Sequence, residues 1–230
     1  MDRHQSPEEV EQKHLQVFGQ GLGPLYHALY KDVTWLHAKW LEYRKLYAQS
    51  EERVDLLNRT APFFFRLVQD VLWKDVLLHI ARLTDPPKHQ KFENLTLRRL
   101  PDGVSDGGLA DELRSLVRTA LERCEFARQW RNKRLAHRDL ALAIDAKAAP
   151  LPAVSRQQVE EALASVRTIM NRLHDFYLQG AVAYERFLAH DDADALVCHL
   201  AVGARFEERQ RERCREGRPL PEDLEPAPEV

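Results

Sequence analysis

Apolar side chains recur at steps of three and four residues along most of the chain, a pattern typical of helices that bury one face. The first stripe predicts an aromatic helix from Pro24 to Gln49, built on Leu25, Leu29, Val33, Leu36, Trp40, Tyr43 and Tyr47. A second helical stretch follows from about Glu51 to Leu83. Pro62 predicts a kink or the first turn of a new helix there, because proline lacks the N–H that a helix interior needs. Residues 63–80 are apolar on nearly all sides, which predicts a buried, central helix.

The second half of the chain shows the same period between clear breaks. Thr84-Asp85-Pro86-Pro87 ends the second stretch, and a connector with one short turn near residues 95–100 leads to a third long helix. That helix opens near Asp106 and is expected to run into a basic cluster before a loop at 141–152. Ser155 and Gln158 form a capping-box signature for a helix reaching about Leu188, which Gly180 weakens midway. A short helix at 195–214 follows, so the pattern predicts an all-α, up-and-down helical bundle.

Composition supports one helical domain with a charged tail. The 230 residues are 44% apolar and 30% charged, with only 9 glycines, which favours helices over sheet. We expect a single domain over residues 1–204 and a frayed, proline-rich tail over 205–230. The N-terminus lacks the pattern of a signal peptide, and no apolar run of about 18 residues predicts a membrane span. Three widely spaced cysteines suggest a reducing cytoplasm, with Cys124 as a small core residue.

A cluster of cations stands out because the chain as a whole is nearly neutral. Its net charge is −2, yet the stretch from Phe126 to Arg138 holds five basic residues and no acidic one. A solvated helix face normally mixes both signs of charge. The cluster therefore indicates an anionic partner, and any RNA must bind to this local patch.

An arginine followed within the cluster by a histidine suggests a phosphodiester site, although the spacing alone is weak evidence. With ten histidines in the chain, chance predicts roughly three arginine–histidine pairs at this range of spacings. Three occur: Arg131 with His137, Arg82 with His89, and Arg167 with His174. Only Arg131 combines a polar residue directly after it with a dense basic setting near a helix end, so context selects the first pair.

Several stretches together resemble a known superfamily. Arg131-Asn132 followed by His137 resembles the arginine–polar–spacer–histidine signature of HEPN proteins, a group of small helical proteins that includes many ribonucleases. The stretches 81–86 (Ala-Arg-Leu-Thr-Asp-Pro), 94–97 (Asn-Leu-Thr-Leu), 53–58 (Arg-Val-Asp-Leu-Leu-Asn) and 63–65 (Phe-Phe-Phe) are similar to its abortive-infection branch, the U-type phage-resistance proteins. The similarity covers about residues 43–188. It implies a helical bundle, dimerisation and metal-independent RNA cleavage, with no cofactor.

The chemistry of RNA cleavage assigns roles within this signature. A base must take the 2′-hydroxyl proton, an acid must protonate the leaving 5′-oxygen, and cations must bind the crowded phosphate. His137 suits the proton transfers, since the unperturbed pKa of histidine is about 6.5, and Arg131 suits the phosphate. Asn132 is expected to orient either the histidine or the scissile phosphate. The predicted substrate contacts are Arg128, Trp130, Lys133, Arg134 and Arg138, and the supporting residues are Arg82, Asp85 and Asp139.

The geometry of a regular helix does not bring these two side chains together. Six residues rotate an ideal helix by about 600°, which leaves Arg131 and His137 some 120° apart. They converge if the helix is distorted, if long side chains meet in a groove, or if a two-fold dimer joins two copies of the motif in one cleft. The helix at 24–49 is a candidate for that dimer interface.

Other roles for the same residues remain open. Cations at a helix C-terminus complement the helix dipole, His137 could be a capping group, and Trp130 could be core. Arg82 and Asp85 could form an ion pair at a helix end. A non-catalytic dimer that binds RNA, a nucleotide or a protein fits the same features. A metal enzyme using some of His27, His37, His79, His174 and His199 is disfavoured, because none of these histidines belongs to a His-x-x-x-His or Glu-x-x-His pair. If the chain cleaves RNA, the resemblance implies phage defence or a toxin–antitoxin pair, with an antitoxin or sensor as partner.

Overall fold

The computed structural model describes residues 6–135, 153–186 and 191–224. Helices dominate these residues and confirm the all-α prediction. They are α1 (Pro7–Tyr47), α2 (Glu51–Thr60), α3 (Pro62–Leu83), α4 (Gly107–Arg123), α5 (Glu125–Trp130), α6 (Arg156–Leu178) and α7 (Ala193–Arg215). Short 3₁₀ turns span Leu97–Arg99, Pro101–Gly103 and Pro221–Asp223, and a π-helical turn spans Arg131–Leu135. β1 (Lys88–His89) and β2 (Phe92–Glu93) form one antiparallel pair.

The first helix begins much earlier than its apolar stripe predicts, and it is broken at Gly19. The backbone of Gly19 has a φ of 77° and a ψ of 175°, a conformation that glycine adopts without a steric penalty. The chain reverses there, so that Phe18 stacks on Tyr26 with 4.0 Å between the ring centroids. The expected start at Pro24 was wrong because the helix resumes just after Gly19, and Pro24 then lies close to the beginning of the resumed helix.

The reversal brings two backbones into close contact at Gly23. A Cβ atom at Gly23 would lie only 2.9 Å from the Cα of Leu15, whereas a Cβ at Gly21 would meet nothing within 4 Å. We expect Gly23→Ala to lower the free energy of unfolding by about 1–3 kcal/mol, because overpacking forces the backbones apart. Gly21→Ala, the matched control, should raise it by roughly 0.5–1 kcal/mol through helix propensity. Urea denaturation followed by circular dichroism measures both changes. Equal effects would contradict this close packing.

Pro62 opens a new helix, as one of the two sequence-based alternatives predicts. The hydroxyl of Ser50 accepts a hydrogen bond from the backbone N–H of Arg53 and caps α2. Ala61 ends α2 with a φ of −152°, and α3 begins at Pro62. A proline in the first helical turn loses no hydrogen bond, since that N–H would have no partner within the helix.

The beginning of α3 corrects the prediction of a buried, central helix. Val76, Leu77 and Ile80 are fully buried, as expected, but Phe63 is 84% exposed and Phe64 and Leu67 are also exposed. An apolar side chain can lie at a surface when no other element of the described chain covers it. Apolar composition therefore located the core correctly for the second half of this helix, whereas in the first half Phe65 is buried and its neighbours Phe63 and Phe64 are not.

Helix α6 ends sooner than expected. Ser155 and Gln158 form the predicted capping box, but α6 stops at Leu178 rather than continuing to Leu188, which lies outside the described residues. Gln179 takes the left-handed conformation, with φ and ψ both 51°. This C-terminal cap ends the helix one residue before Gly180, the residue expected only to weaken it.

The described chain divides into two compact units, each with its own buried residues. The first comprises Met1–Leu41 and Val71–Phe187, and the second comprises Glu42–Asp70 and Leu188–Val230. The core of the first unit comes from one face of each long helix, namely Leu29, Val33 and Leu36 of α1, Leu77 and Ile80 of α3, Leu113 of α4, and Leu163, Val166 and Ile169 of α6. In the second unit, Leu56 and Leu57 of α2 are buried, and so is Val197 of α7. Ion pairs of Lys45 with Asp192 and of Arg53 with Asp194 also stabilise this unit.

Candidate functional site

The third long helix is interrupted twice before the basic cluster ends. Asp106 caps α4 through its carboxylate, which accepts a hydrogen bond from the N–H of Leu109. Cys124, with a φ of −95° and a ψ of 2°, separates α4 from α5, and a π-helical turn then takes over at Arg131–Leu135. The continuous helix predicted here was therefore wrong. π-helical turns are rare and frequently mark functional sites.

Arg131 lies at the first position of that turn and is partly buried. One terminal nitrogen, Nη1, forms an ion pair with the carboxylate of Asp85, and Nε donates to the side-chain oxygen of Asn132 at 3.0 Å. The side chains of Arg131 and Asp85 are 22% and 16% exposed. Within the described residues, Nη2 has no hydrogen-bond partner. Two of the three guanidinium nitrogens are thus fixed by protein groups, and Nη2 can donate hydrogen bonds to the oxygens of an anion.

Asp85 comes from a loop 46 residues earlier in the chain, between α3 and the 3₁₀ turn at Leu97–Arg99. The hydroxyl of Thr96 lies 2.9 Å from the carbonyl oxygens of both Leu83 and Asp85. The sequence suggested an ion pair between Arg82 and Asp85, but Arg82 is exposed and Asp85 pairs with Arg131. Thr96 was not recognised as a site residue, although the Asn-Leu-Thr-Leu similarity contained it.

The remaining predicted cations have different surroundings. Arg128 donates to the carboxylate of Glu125 and, at 2.7 Å, to the carbonyl of Leu121. It therefore bridges the break at Cys124, a structural contact that leaves little of it for substrate. Arg134 lies over the ring of half-buried Trp130, with 5.4 Å between guanidinium carbon and ring centroid, a cation–π contact. Lys133 is exposed. Three further predicted residues, His137, Arg138 and Asp139, lie outside the described residues.

The cysteine beside the cluster is a core residue, as predicted. Cys124 is fully buried, and burial raises the pKa of its thiol to about 12. The thiol is therefore protonated at neutral pH and is a poor nucleophile.

Three of the histidines considered as metal ligands, His27, His79 and His174, have other partners within the first unit. Nδ1 of His27 lies 3.1 Å from Nδ1 of His14, and Nδ1 of His174 lies 2.7 Å from the hydroxyl of Tyr26. His79 accepts a hydrogen bond from Lys39 at 3.1 Å. Over residues 6–135, 153–186 and 191–224, no three His, Cys, Asp or Glu side chains form a group that could hold a metal ion. None of the helices in these ranges is long and apolar enough to span a membrane.

A groove of about 1170 Å³ lies elsewhere, within the second unit, and is lined by residues of α2 and α7. Its arginines alternate with Glu52, Glu207, Glu208 and Glu212. Such alternation of charge is typical of a solvated helix face. Arg131 and Asp85 are not among its lining residues, so the candidate chemistry does not depend on this groove.

One comparison with known proteins identifies a family. A HEPN family model described as AbiU2 matches residues 19–196. This span contains Asp85, Thr96, Arg131, Asn132 and His137, and it leaves out the reversed segment before Gly19 and most of α7. No curated protein and no solved structure matches the chain.

Proposed function

Because the chain belongs to the AbiU2 family of HEPN proteins, we propose that it is a metal-independent endoribonuclease of the HEPN type. The single observation that carries the proposal is the arrangement at Arg131. Its guanidinium is held on one side by Asp85 and Asn132, and Nη2 is left for a phosphate oxygen. This is the geometry that a pre-oriented phosphate clamp requires.

In the proposed reaction His137 transfers protons and Arg131 binds the scissile phosphate. One histidine takes the proton from the 2′-hydroxyl, and the 2′-oxygen forms a bond to phosphorus. The bond from phosphorus to the 5′-oxygen breaks, and a second histidine protonates that oxygen. The products carry a 2′,3′-cyclic phosphate and a 5′-hydroxyl. A homodimer supplies both histidines, one from each protomer.

The remaining parts of the proposal follow from the family. The enzyme acts on RNA in the cytoplasm, in phage defence or as the toxin of a toxin–antitoxin pair, restrained by an antitoxin or a sensor protein. For the dimer we propose an interface on α1. Most aromatic residues of that helix are buried in their own chain, but Trp35 is 64% exposed, and exposed tryptophans are common anchors of protein interfaces.

A second candidate function is a dimer that binds RNA, a nucleotide or a protein without cleaving it. The ion pair of Asp85 with Arg131 favours this alternative, because a carboxylate so close to the clamp lowers its net positive charge. A binding protein tolerates a less positive clamp more easily than an enzyme does, because an enzyme must also stabilise the crowded phosphate of the transition state.

Replacing Arg131 tests whether it binds the phosphate. We expect Arg131→Ala to weaken RNA binding about 10- to 100-fold, the size of one charge-assisted hydrogen-bonded contact. The dependence of affinity on salt should decrease by about one phosphate contact. Fluorescence anisotropy with labelled single-stranded RNA in EDTA measures both, without requiring cleavage.

Arg118→Ala provides the matched control, since Arg118 is an exposed arginine of α4 outside the basic cluster. It should change neither affinity nor salt dependence appreciably. Equal losses in the two variants would mean that general positive charge, rather than a clamp at Arg131, binds the RNA.

A further inference from the structure

We propose that Thr96 is a positioning residue for the Arg131 clamp: its hydroxyl fixes the turn that presents Asp85, and Asp85 in turn orients the guanidinium. The catalytic consequence of this inference rests on the proposed ribonuclease function, whereas the orientation of Arg131 does not.

The hydroxyl of Thr96 joins two successive parts of the turn after α3. Thr96 is completely buried, and its Oγ1 lies 2.9 Å from the carbonyl oxygens of Leu83 and Asp85. Leu83 ends α3, where carbonyl groups have no partner within the helix. The single hydrogen of the hydroxyl is shared between the two carbonyl oxygens, so it serves this buried helix end and links it to the backbone of Asp85.

Side-chain hydrogen-bond donors hold the rest of the loop around Pro86 and Pro87 in place. Asn94 donates from Nδ2 to the carbonyl of Pro86 at 2.8 Å. Arg99 donates from Nε to the carbonyl of Asn94 at 2.8 Å and from Nη2 to the carbonyl of Pro87 at 2.5 Å. Prolines have no N–H and fixed φ angles, so these contacts make the loop between Asp85 and Arg99 a stiff support.

The direction of the Asp85 side chain depends on this support. Its carboxylate binds Nη1 of Arg131, while Asn132 accepts from Nε. Two fixed contacts on a planar guanidinium determine the plane of the group and the direction of the remaining nitrogen. If Thr96 loses its hydroxyl, the carbonyl of Asp85 loses this hydrogen bond, so the Asp85 carboxylate is held less firmly and the direction of Nη2 is less well defined.

The stretches 81–86 and 94–97, which resemble the family but contain no residue that transfers a proton, thereby gain a role. The first stretch covers the end of α3 and the start of the loop that holds Asp85, and the second closes that loop. Hydrogen bonds connect them with the Arg131 motif, from Thr96 through Asp85 to Arg131.

The inference predicts how Arg131 reacts in the absence of RNA. We would treat the full chain with phenylglyoxal, which modifies free guanidinium groups, and follow Arg131 by peptide mass spectrometry. Thr96→Val keeps the shape of the side chain and removes the hydroxyl. We expect it to raise the modification rate of Arg131 about two- to fivefold, the effect of weakening one partly exposed ion pair. Thr96→Ser should restore the wild-type rate, and Arg118 should react equally in all proteins.

Cleavage kinetics give the second measurement. A displaced clamp misaligns the bound phosphate, so Thr96→Val should lower kcat while KM changes little, and Thr96→Ser should recover kcat. Asp85→Asn should lower kcat as well, but KM should fall, because it also removes a negative charge beside the phosphate. If Thr96 had a purely structural role, Thr96→Val would lower the amount of folded enzyme. The kcat of the folded fraction would then be the same in Thr96→Val and Thr96→Ser.

The outcomes separate the inference from the proposed function. Faster modification of Arg131 in folded Thr96→Val supports the inference even if the wild type cleaves no RNA, in which case only the proposed function fails. Unchanged modification and unchanged kcat in a folded Thr96→Val protein overturn the inference alone. If Thr96→Val does not fold, Thr96→Ala, which also removes the hydroxyl, provides the same comparison: faster modification supports the inference, and an unchanged rate overturns it.

Discussion

His137→Ala is expected to lower the rate of RNA cleavage by about 10²–10⁴-fold, the usual contribution of a general acid–base group. The unperturbed pKa of histidine, about 6.5, lets one imidazole accept a proton while another donates one near neutral pH. The rate should be measured under single-turnover conditions with labelled RNA in EDTA. RNA affinity should change little, because the histidine transfers protons and Arg131 binds the phosphate.

His89→Ala is the appropriate control for this prediction. His89 follows Arg82 at a similar spacing, but it lies exposed in β1 and its neighbours are not a basic cluster. Its replacement should leave the rate unchanged. Equal rates for His137→Ala and the wild type would show that the arginine–histidine spacing at 131–137 is as accidental as the one at 82–89.

A steep loss of stability in mild acid is the second large effect that we expect. Three core histidines have a lowered pKa, mainly because they are buried. Neighbouring cations or imidazoles lower the pKa further. The pKa of His14 falls to about 4 and that of His37 to about 3, and the pKa of His79 is lowered by burial and by Lys39. In the unfolded chain each has a pKa of about 6.5.

The sign of the effect follows from proton binding. Between pH 6.5 and about 4 the unfolded chain binds more protons at these sites than the folded chain, so stability rises with pH. The stabilisation is fully present above pH 6.5 and is lost as the pH falls toward 4. Each histidine contributes about 1.4 kcal/mol per pH unit in this window, and three together contribute roughly 4 kcal/mol per pH unit. Urea denaturation at a series of pH values measures this slope.

His37→Phe tests the origin of the slope. A phenyl ring can keep the stacked contact of His37 with Tyr184, whose ring centroids lie 5.7 Å apart, but it cannot bind a proton. The slope near pH 5 should decrease by about 1.4 kcal/mol per pH unit. An unchanged slope in a folded variant would mean that the pKa of His37 does not differ between the folded and the unfolded chain.

Features with a local cause were predictable from the sequence. The start of α3 at Pro62 and the cap at Ser155 depend on the chemistry of one or two adjacent residues, and both are where the pattern indicated. The helical class follows from the apolar period, which reflects burial of one face. Such signals do not depend on contacts with distant parts of the chain.

Features that depend on distant contacts were not predictable in the same way. The exposure of Phe63 reflects which elements fail to cover it, and apolar character alone cannot report that. The reversal at Gly19 is stable because Gly23 lets Leu15 approach. The interruption at Cys124 and the π-helical turn after Trp130 carry no Gly or Pro that would mark a break.

The candidate site was also only partly predictable from the sequence, because some of its contacts join distant residues. Basic residues around Arg131 and the similarity to HEPN proteins identified the helix end, and the family is now established for residues 19–196. The sequence did not reveal that Asp85 pairs with Arg131, because the two are separated by 46 positions. It also treated Arg128 as a substrate contact, whereas its hydrogen bonds to Glu125 and Leu121 stabilise the helix break.

The chemical nature of the product ends tests the central claim most directly. Purified wild-type protein should be incubated with labelled RNA in EDTA beside His137→Ala, and the ends identified by mass spectrometry. The proposed mechanism predicts 2′,3′-cyclic phosphate and 5′-hydroxyl ends from the wild type, and intact RNA from His137→Ala. Intact RNA with folded, dimeric wild-type protein, equal cleavage by both proteins, or 5′-phosphate ends would contradict it.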